Sequence, residues 1–287
     1  MILIDANNIA YMAYHSLGEL ADGEILTGTV FGFLNMVNSI AQRHGTAMVF
    51  CFDSKKNIRK RVLPSYKGTR HKDLTEEKLI ELHHMHRQLT QIRREILPQM
   101  GFKNIKIKSG YEADDLIAYY ALKYYKRKTI IVSTDKDLYQ LLGRKVSIYN
   151  PKTKKEFTVD DFRRAYGISP KEWSRVKSIA GDSSDNIKGI AGVGEKTALK
   201  YIKGILPTTT KAYENIKVNQ KEINLNMRLI NLPYLGGREL KFVYKKNRLS
   251  RKKFISTFDK LRFIHFLKEE NFERWERNFR IKPSRSM

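Results

Sequence analysis

Three short apolar runs in this chain each end in, or lead directly into, an aspartate. They read MILID at residues 1–5, VFCFD at 49–53 and IIVSTD at 130–135. Such brief runs, two of them rich in Ile and Val, have the length and composition of buried strands. Between them lie segments with apolar residues three and four apart. Val30, Phe33, Leu34, Val37, Ile40 and Ala41 form one set, and Leu79, Leu82, Met85, Leu89, Ile92 and Ile96 another. Strands alternating with helices argue for βαβ units and a mainly parallel sheet. The carboxyl ends of parallel strands share one edge, where open α/β sheets bind ligands, and neighbouring strands are only about 4.8 Å apart. The three aspartates are therefore expected to converge.

A fourth candidate strand, 103–107, precedes a helix starting near Tyr111. A long helix is expected over 74–97, opened by Asp73 and Glu76 at capping-box spacing and stopped by Pro98. Past residue 151 the strand signal fades. The chain thus divides into an α/β domain, 1–158, and a mostly helical one, 159–287.

The charge balance narrows the partner. With 55 Lys+Arg against 30 Asp+Glu, the formal net charge is +25, which points to a polyanion. No apolar run is long enough to span a bilayer, and the start of the chain has no signal-peptide pattern. The single cysteine excludes an intramolecular disulfide framework and suits a reducing, cytoplasmic setting.

Against that basic background the acids are clustered. Asp5, Asp53 and Asp135 are joined by Glu112, Asp114 and Asp115 in YEADD, by Asp137 in DKD, and by Asp182 and Asp185 in GDSSDN. Singly, each has an ordinary structural reading as a helix cap, a first-turn acid or a turn residue: Asp5 and Asp53 at strand ends, Glu112 paired with Ser109, Asp135 and Asp182 as caps. Together they are harder to explain that way, because caps need no shared edge. Crowded carboxylates repel and take up protons unless cations compensate them. Hard divalent ions with oxygen ligands, Mg²⁺ or Mn²⁺, are the natural compensation. Two such ions ~4 Å apart are an established device for phosphodiester hydrolysis.

The motifs IDANN, FDSKKNIRK, YKGTR, YEADD, VSTDKD, GDSSDNIKG and GVGEKTA, in this order, resemble those of the 5′ nucleases. These are the flap endonucleases and 5′→3′ exonucleases, phage enzymes and the nuclease domain of bacterial DNA polymerase I among them. The resemblance implies a Rossmann-like (PIN-like) α/β domain with a helical arch at about 54–97, then a helix–three-turn–helix DNA-binding module. It implies structure-specific hydrolysis of DNA, and of RNA primers in RNA/DNA hybrid, near 5′ junctions during replication or repair. The nine acids would be the metal-site carboxylates. Lys67 and Arg70, with Asp114 and Asp115, would be catalytic. A PIN-type ribonuclease and a catalytically silent junction-binding protein are the alternatives. Ala6 stands where many relatives have Gly. The length suggests a stand-alone monomer, as in phages, acting in the cytoplasm of a bacterial host, with a replication polymerase or single-strand-binding protein as possible partners.

The basic elements have their own readings. Residues 54–97 hold 12 Lys+Arg and 5 Asp+Glu. Within SYKGTR the resemblance places Lys67 and Arg70 on the scissile phosphate and Tyr66 against a terminal base. Lys55, Lys56, Arg59, Lys60 and Arg61 read as generic phosphate contacts. His83, His84 and His86 lack cysteine partners and do not share one helix face, so they read as a solvent-facing stretch, not a zinc site. The run 189–197, with Gly189, Gly192, Gly194, Lys196 and Thr197, opens a helix but breaks P-loop spacing at Glu195. In the family it is a helix–hairpin–helix loop that holds duplex backbone, with a possible K⁺ ion. The tail 241–287 carries 15 Lys+Arg and 5 Asp+Glu and is expected to extend the duplex platform. Trp173 and Trp275 are expected to be packing residues.

Overall fold

The computed structural model describes residues 1–18, 20–22, 25–70 and 72–281. The aspartate-ended runs become β1 (Ile2–Asp5), β4 (Met48–Cys51) and β6 (Thr129–Val132), with the small hairpin β2 (Ala21–Asp22) and β3 (Ile25–Leu26) set apart. With β5 (Ile105–Lys106), β7 (Val146–Asn150) and β8 (Lys155–Phe157), the main sheet runs β5-β4-β1-β6-β7-β8. All its pairings are parallel except β7–β8.

The pleat sends alternate residues to opposite cores. Ile2, Ile4, Met48, Phe50, Ile130 and Val132 join one core, while Leu3, Val49, Cys51 and Ile131 join the other. Over the first face lie α1 (Ala6–Leu17), α2 (Gly28–His44) and α3 (Glu76–Gln91), continued by a π-turn over Ile92–Ile96 into α4 (Leu97–Met100). Two expectations are corrected here. Thr75, not Asp73, caps α3, its side chain accepting from the Lys78 N–H at 3.4 Å. Pro98 does not stop the helix: it follows directly on the π-turn, a local change of hydrogen-bond pattern, and Gly101, at φ 97°, ends the helix.

The second face carries α5 (Ala113–Lys123), α6 (Val159–Tyr166), α7 (Trp173–Ala180), α8 (Glu195–Ile202), α9 (Lys211–Val218) and α10 (Gln220–Ile230). Phe162, Trp173, Val176, Ile179 and Val193 share a core with Leu3 and Ile131, so the helical part is built directly onto the sheet.

The tail departs from expectation. Helices α11 (Arg251–Lys260), α12 (Ile264–Leu267) and α13 (Glu269–Phe279) pack on the first face, not with the helical part. Phe254, Phe258, Phe266, Phe272, Trp275 and Phe279 enter the core that holds Phe33, Phe50 and Phe102. Burying this aromatic stripe gains far more than adding charge to a distant platform. The strap leading to it is pinned at Asn104, which accepts from Lys245 N–H at 2.8 Å and donates to its carbonyl at 2.5 Å. Arg248 N–H bonds the Gly101 carbonyl, and a Cβ on Gly101 would stand 2.1 Å from the Arg248 oxygen. Trp275→Ala is therefore expected to lower stability by ~3–5 kcal/mol in urea unfolding. A change under ~0.5 kcal/mol would show that the tail is dispensable to the core.

Candidate active site

Parallel pairing puts Asp5 at the end of β1, with Asp53 just past β4 and Asp135 just past β6. The first turn of α5 adds Glu112 and Asp114, the 3-10 turn Lys136–Leu141 adds Asp137, and the loop between α7 and α8 adds Asp182 and Asp185. Several of these acids do serve as caps: Asp5 accepts from Asn8 N–H at 3.0 Å and Asp135 from Asp137 N–H at 2.7 Å. Glu112 caps α5 in a box with Asp115, not with Ser109 as the spacing suggested. Capping and clustering are compatible, because a cap uses only part of a carboxylate's acceptor capacity.

The acids fall into distinct environments. Glu112 and Asp185 meet the YKGTR segment. The Lys67 ammonium contacts Glu112 and lies 3.7 Å from Asp185, and Arg70 donates to Asp185 at 2.7 Å. The Tyr66 hydroxyl lies 2.9 Å from Glu112 and 2.7 Å from Asp185, and its one proton serves one of them at a time. A second pair, Asp137 and Asp182, is bridged by Lys177 of α7 at 3.1 and 2.6 Å. Burial works against the charge of Asp182, but Lys177 and Ser184 outweigh it and hold its carboxyl below the usual range. Burial likewise opposes charge on Lys67 and Lys177, and their carboxylate partners raise both ammonium pKa values.

Asp5, Asp53, Asp114 and Asp135 form no ion pair among the described residues. Burial, then the charges of Asp135, Asp5 and Asp53, push the Asp114 carboxyl well above the carboxylate range. Burial and Asp53 raise Asp5 to about 7, and burial and Asp135 raise Asp137 to about 6. Among the described residues no three His, Cys, Asp or Glu side chains stand close enough together to hold a metal ion as they are placed. The donor chemistry nonetheless fits a hard divalent cation: oxygen ligands only, crowded, and short of positive charge.

Three sequence-derived assignments are corrected. Asp115 stands apart from the set. Its Oδ1 accepts from Arg59 and Tyr234 N–H at 2.8 and 2.7 Å, its Oδ2 from Arg59 and Glu112 N–H at 2.7 and 3.0 Å, and it is fully buried. Those four bonds leave its oxygens no capacity for a metal. Arg59 is no surface phosphate contact: it is 2 % exposed, and its Nε also donates to the Leu229 carbonyl at 2.8 Å. Tyr66, also 2 % exposed, is not available to stack on a base. Sequence reasoning missed Lys177 altogether; a single lysine on an amphipathic helix carries no signal of the acids it will meet.

The described residues of 54–97 include a 3-10 turn at Ile58–Arg61 and α3, and they bound a cleft of about 1020 Å³. Asp53, Arg70, Arg87 and Arg93 line it, and His83, His84 and His86 face into it. At the far side, Gly189 is held by packing, since a Cβ there would meet the Ala180 carbonyl at 2.1 Å. Gly192 and Gly194 face open space, and Gly194 starts α8 with no side-chain cap. Lys196 is exposed beside them and Thr197 half-buried.

The family model described as "5'-3' exonuclease, N-terminal resolvase-like domain" matches residues 1–167, and "5'-3' exonuclease, C-terminal SAM fold" matches 168–233. The chain belongs to the 5′-3′ exonuclease family. This nuclease is 30% identical over 244 residues to a 5′-3′ exonuclease of Aquifex aeolicus, with 81% of each protein covered. It is 31% identical over 224 residues to the thermostable DNA polymerase I of Thermus aquaticus, spanning 26% of that longer protein and 76% of its own length. In fold it resembles T5 5′-exonuclease with bound divalent zinc ions, at a TM-score of 0.73 and 22% identity, covering 92% of this chain and 98% of that one. It also resembles flap endonuclease-1 from Methanococcus jannaschii, at 0.62 and 15%, covering 98% and 92%.

The raised carboxyls set a pH dependence. A carboxyl whose folded pKa lies above its unfolded value near 3.8 favours the folded state fully below that value, and this contribution is lost as pH rises through about 6 for Asp137 and about 7 for Asp5. Asp5→Asn is therefore expected to raise the melting temperature of the metal-free exonuclease at about pH 8 and to leave it unchanged near pH 4. Equal shifts at both pH values in calorimetry would contradict the repulsion.

Proposed function

We propose that this exonuclease is a divalent-metal-dependent, structure-specific 5′ nuclease. It hydrolyses phosphodiesters of DNA, and of RNA primers, near single-strand/double-strand junctions in replication or repair. The observation carrying this reading is the group of Asp5, Asp53, Asp114 and Asp135, which form no ion pair among the described residues, at one sheet edge and flanked by lysine-bridged acids. Mg²⁺ or Mn²⁺ held there, with Glu112, Asp137, Asp182 and Asp185 at the margins, would neutralise charge developing on a phosphate and make water a better nucleophile. The T5 relatives solved with metal ions, and with DNA, are in keeping with that fit.

The chain's own side chains perform the remaining tasks. Arg70 lines the cleft and Lys67 stands beside it on the acids; both hold the phosphate to be cut, exchanging part of their contact with Glu112 and Asp185 for it. Tyr66 orients those two carboxylates from beneath. The Arg59–Asp115 pair fixes the start of α5, and so the position of Asp114. Gly192, Gly194, Lys196 and Thr197 hold duplex backbone at the start of α8, a contact that reads no base sequence and makes the specificity one of DNA structure.

Asp114→Asn is expected to lower kcat on a labelled 5′-flap DNA by ~100-fold or more while the DNA dissociation constant in EDTA stays within ~threefold. Unchanged turnover would sink the metal assignment. Asp115→Asn separates the roles: it should reduce thermal stability, through a weakened buried pair, more than it alters the Mg²⁺ concentration giving half-maximal rate. A larger effect on that concentration than on melting temperature would return Asp115 to the metal set.

A further inference from the structure

The metal edge and the glycine loop leave a second concentration of positive charge without a role. Helix α5 begins at Glu112 and Asp114 and ends at Lys123, about 15 Å further along its axis. Its far end lies at the opposite margin of the sheet, where the Met1 amino group bonds the Lys128 carbonyl. The strap from the helical part to the tail crosses the same place. Lys123 donates to the Phe242 carbonyl at 2.7 Å, and Tyr244 N–H to the Tyr124 hydroxyl at 3.2 Å. Two stretches 119 residues apart thereby join Lys123, Lys126 and Arg127 to Lys241, Lys245 and Lys246. All six are exposed, and none forms an ion pair among the described residues.

Two further features mark this surface. Cations crowd one another there: burial with Arg127 and Lys128 pushes the Met1 amino group down. Aromatic and apolar groups are interleaved with the charge. Tyr125 is 62% exposed, Val243 58% and Leu122 56%. Arg127 lies over the Tyr124 ring and Lys126 over that of Tyr125. Tyr125 is the exposed ring here and Tyr124 is half-buried beside it; a ring among cations is one way proteins hold single strands, the ring taking a base and the cations phosphates.

We propose that this pole, formed by the end of α5 and the 241–246 strap, is a second nucleic-acid site that binds a single strand while the metal edge and glycine loop hold duplex. It goes beyond the junction-cleaving reading and does not depend on it, because none of its residues belongs to the site described above.

The test uses the full chain in EDTA, a fluorescent oligothymidylate of roughly 20 nucleotides, longer than most single-strand sites, and an unlabelled short DNA hairpin. The expected result is a ternary complex in native mass spectrometry: saturating hairpin leaves the oligothymidylate bound. K123E/K126E/R127E should weaken oligothymidylate binding ~tenfold or more and flatten the dependence of log K on log salt by about 2, three lost contacts at ~0.7 each. Tyr125→Ala, which changes no charge, should weaken it ~fivefold. Hairpin affinity, melting temperature and cleavage of a minimal flap should stay at wild-type values. Full displacement of the oligothymidylate by hairpin, or an unchanged salt slope in the triple variant, would overturn the proposal. So would binding of a poly-glutamate peptide lost in K123E/K126E/R127E when oligothymidylate binding is not, which would make the pole a surface for an acidic protein. Loss of cleavage in Asp114→Asn bears on the metal edge alone, so the two readings fail separately.

Discussion

Repulsion between carboxylates gathered at one sheet edge sets the conditions for the rest of the structure. Parallel pairing of β4, β1 and β6 leaves Asp53, Asp5 and Asp135 no alternative to proximity, and α5 and the α7–α8 loop bring further acids to them. The chain answers this repulsion differently at different places. Lys67 and Arg70 neutralise Glu112 and Asp185, and Lys177 neutralises Asp137 and Asp182. Asp5 and Asp114 form no ion pair among the described residues, and the charge of Lys67 offsets only part of the repulsion at Asp114, so the remainder is relieved by proton uptake or by an added cation. Compensation at the margins with a deficit in the middle is what would suit the edge to hard cations, as proposed above.

Arg59 holds this arrangement to the remainder of the molecule. It joins the loop after β4, the start of α5 and the end of α10 through bonds to Asp115 and the Leu229 carbonyl, with the Tyr234 ring 4.8 Å from its guanidinium. Around it Tyr66, Ile187, Leu229 and Ile230 form a small separate core. A buried ion pair of this kind adds little net stability compared with apolar packing, yet losing one partner strands a charge, so the elements it joins are kept in one register. The part of the chain that would hold duplex and the part that would cut are therefore mechanically continuous.

The basic excess is distributed with the same economy of position. Some cations serve the acids, some line the cleft, and others gather at the end of α5 and the 241–246 strap, where they form no ion pair among the described residues. The tail adds many of the charges, but its place is decided by Phe254, Phe258, Trp275 and Phe279, which anchor it in the first core.

Much of this was legible in order of residues alone. Short apolar runs and apolar spacings of three and four are local, so β1, β4, β6, α2 and the body of α3 could be read directly, and parallel pairing then implied that Asp5, Asp53 and Asp135 meet. The seven motifs, in order, carried the family. What could not be read depended on contacts between residues far apart in the chain. Nothing near Asp115 distinguishes it from Asp114; one step of helix rotation turns the first into a buried partner of Arg59 and leaves the second facing the acids. Tyr66 is turned under the site by its neighbours in the α7–α8 loop and α10, and Lys177 gains its role only because α7 packs beside the turn after β6. The sequence by itself determined which charges exist and that strand ends would collect them. Which of those charges find an ion-pair partner and which do not was settled only by the tertiary structure, because an ion pair depends on a few ångströms of separation that local pattern does not encode.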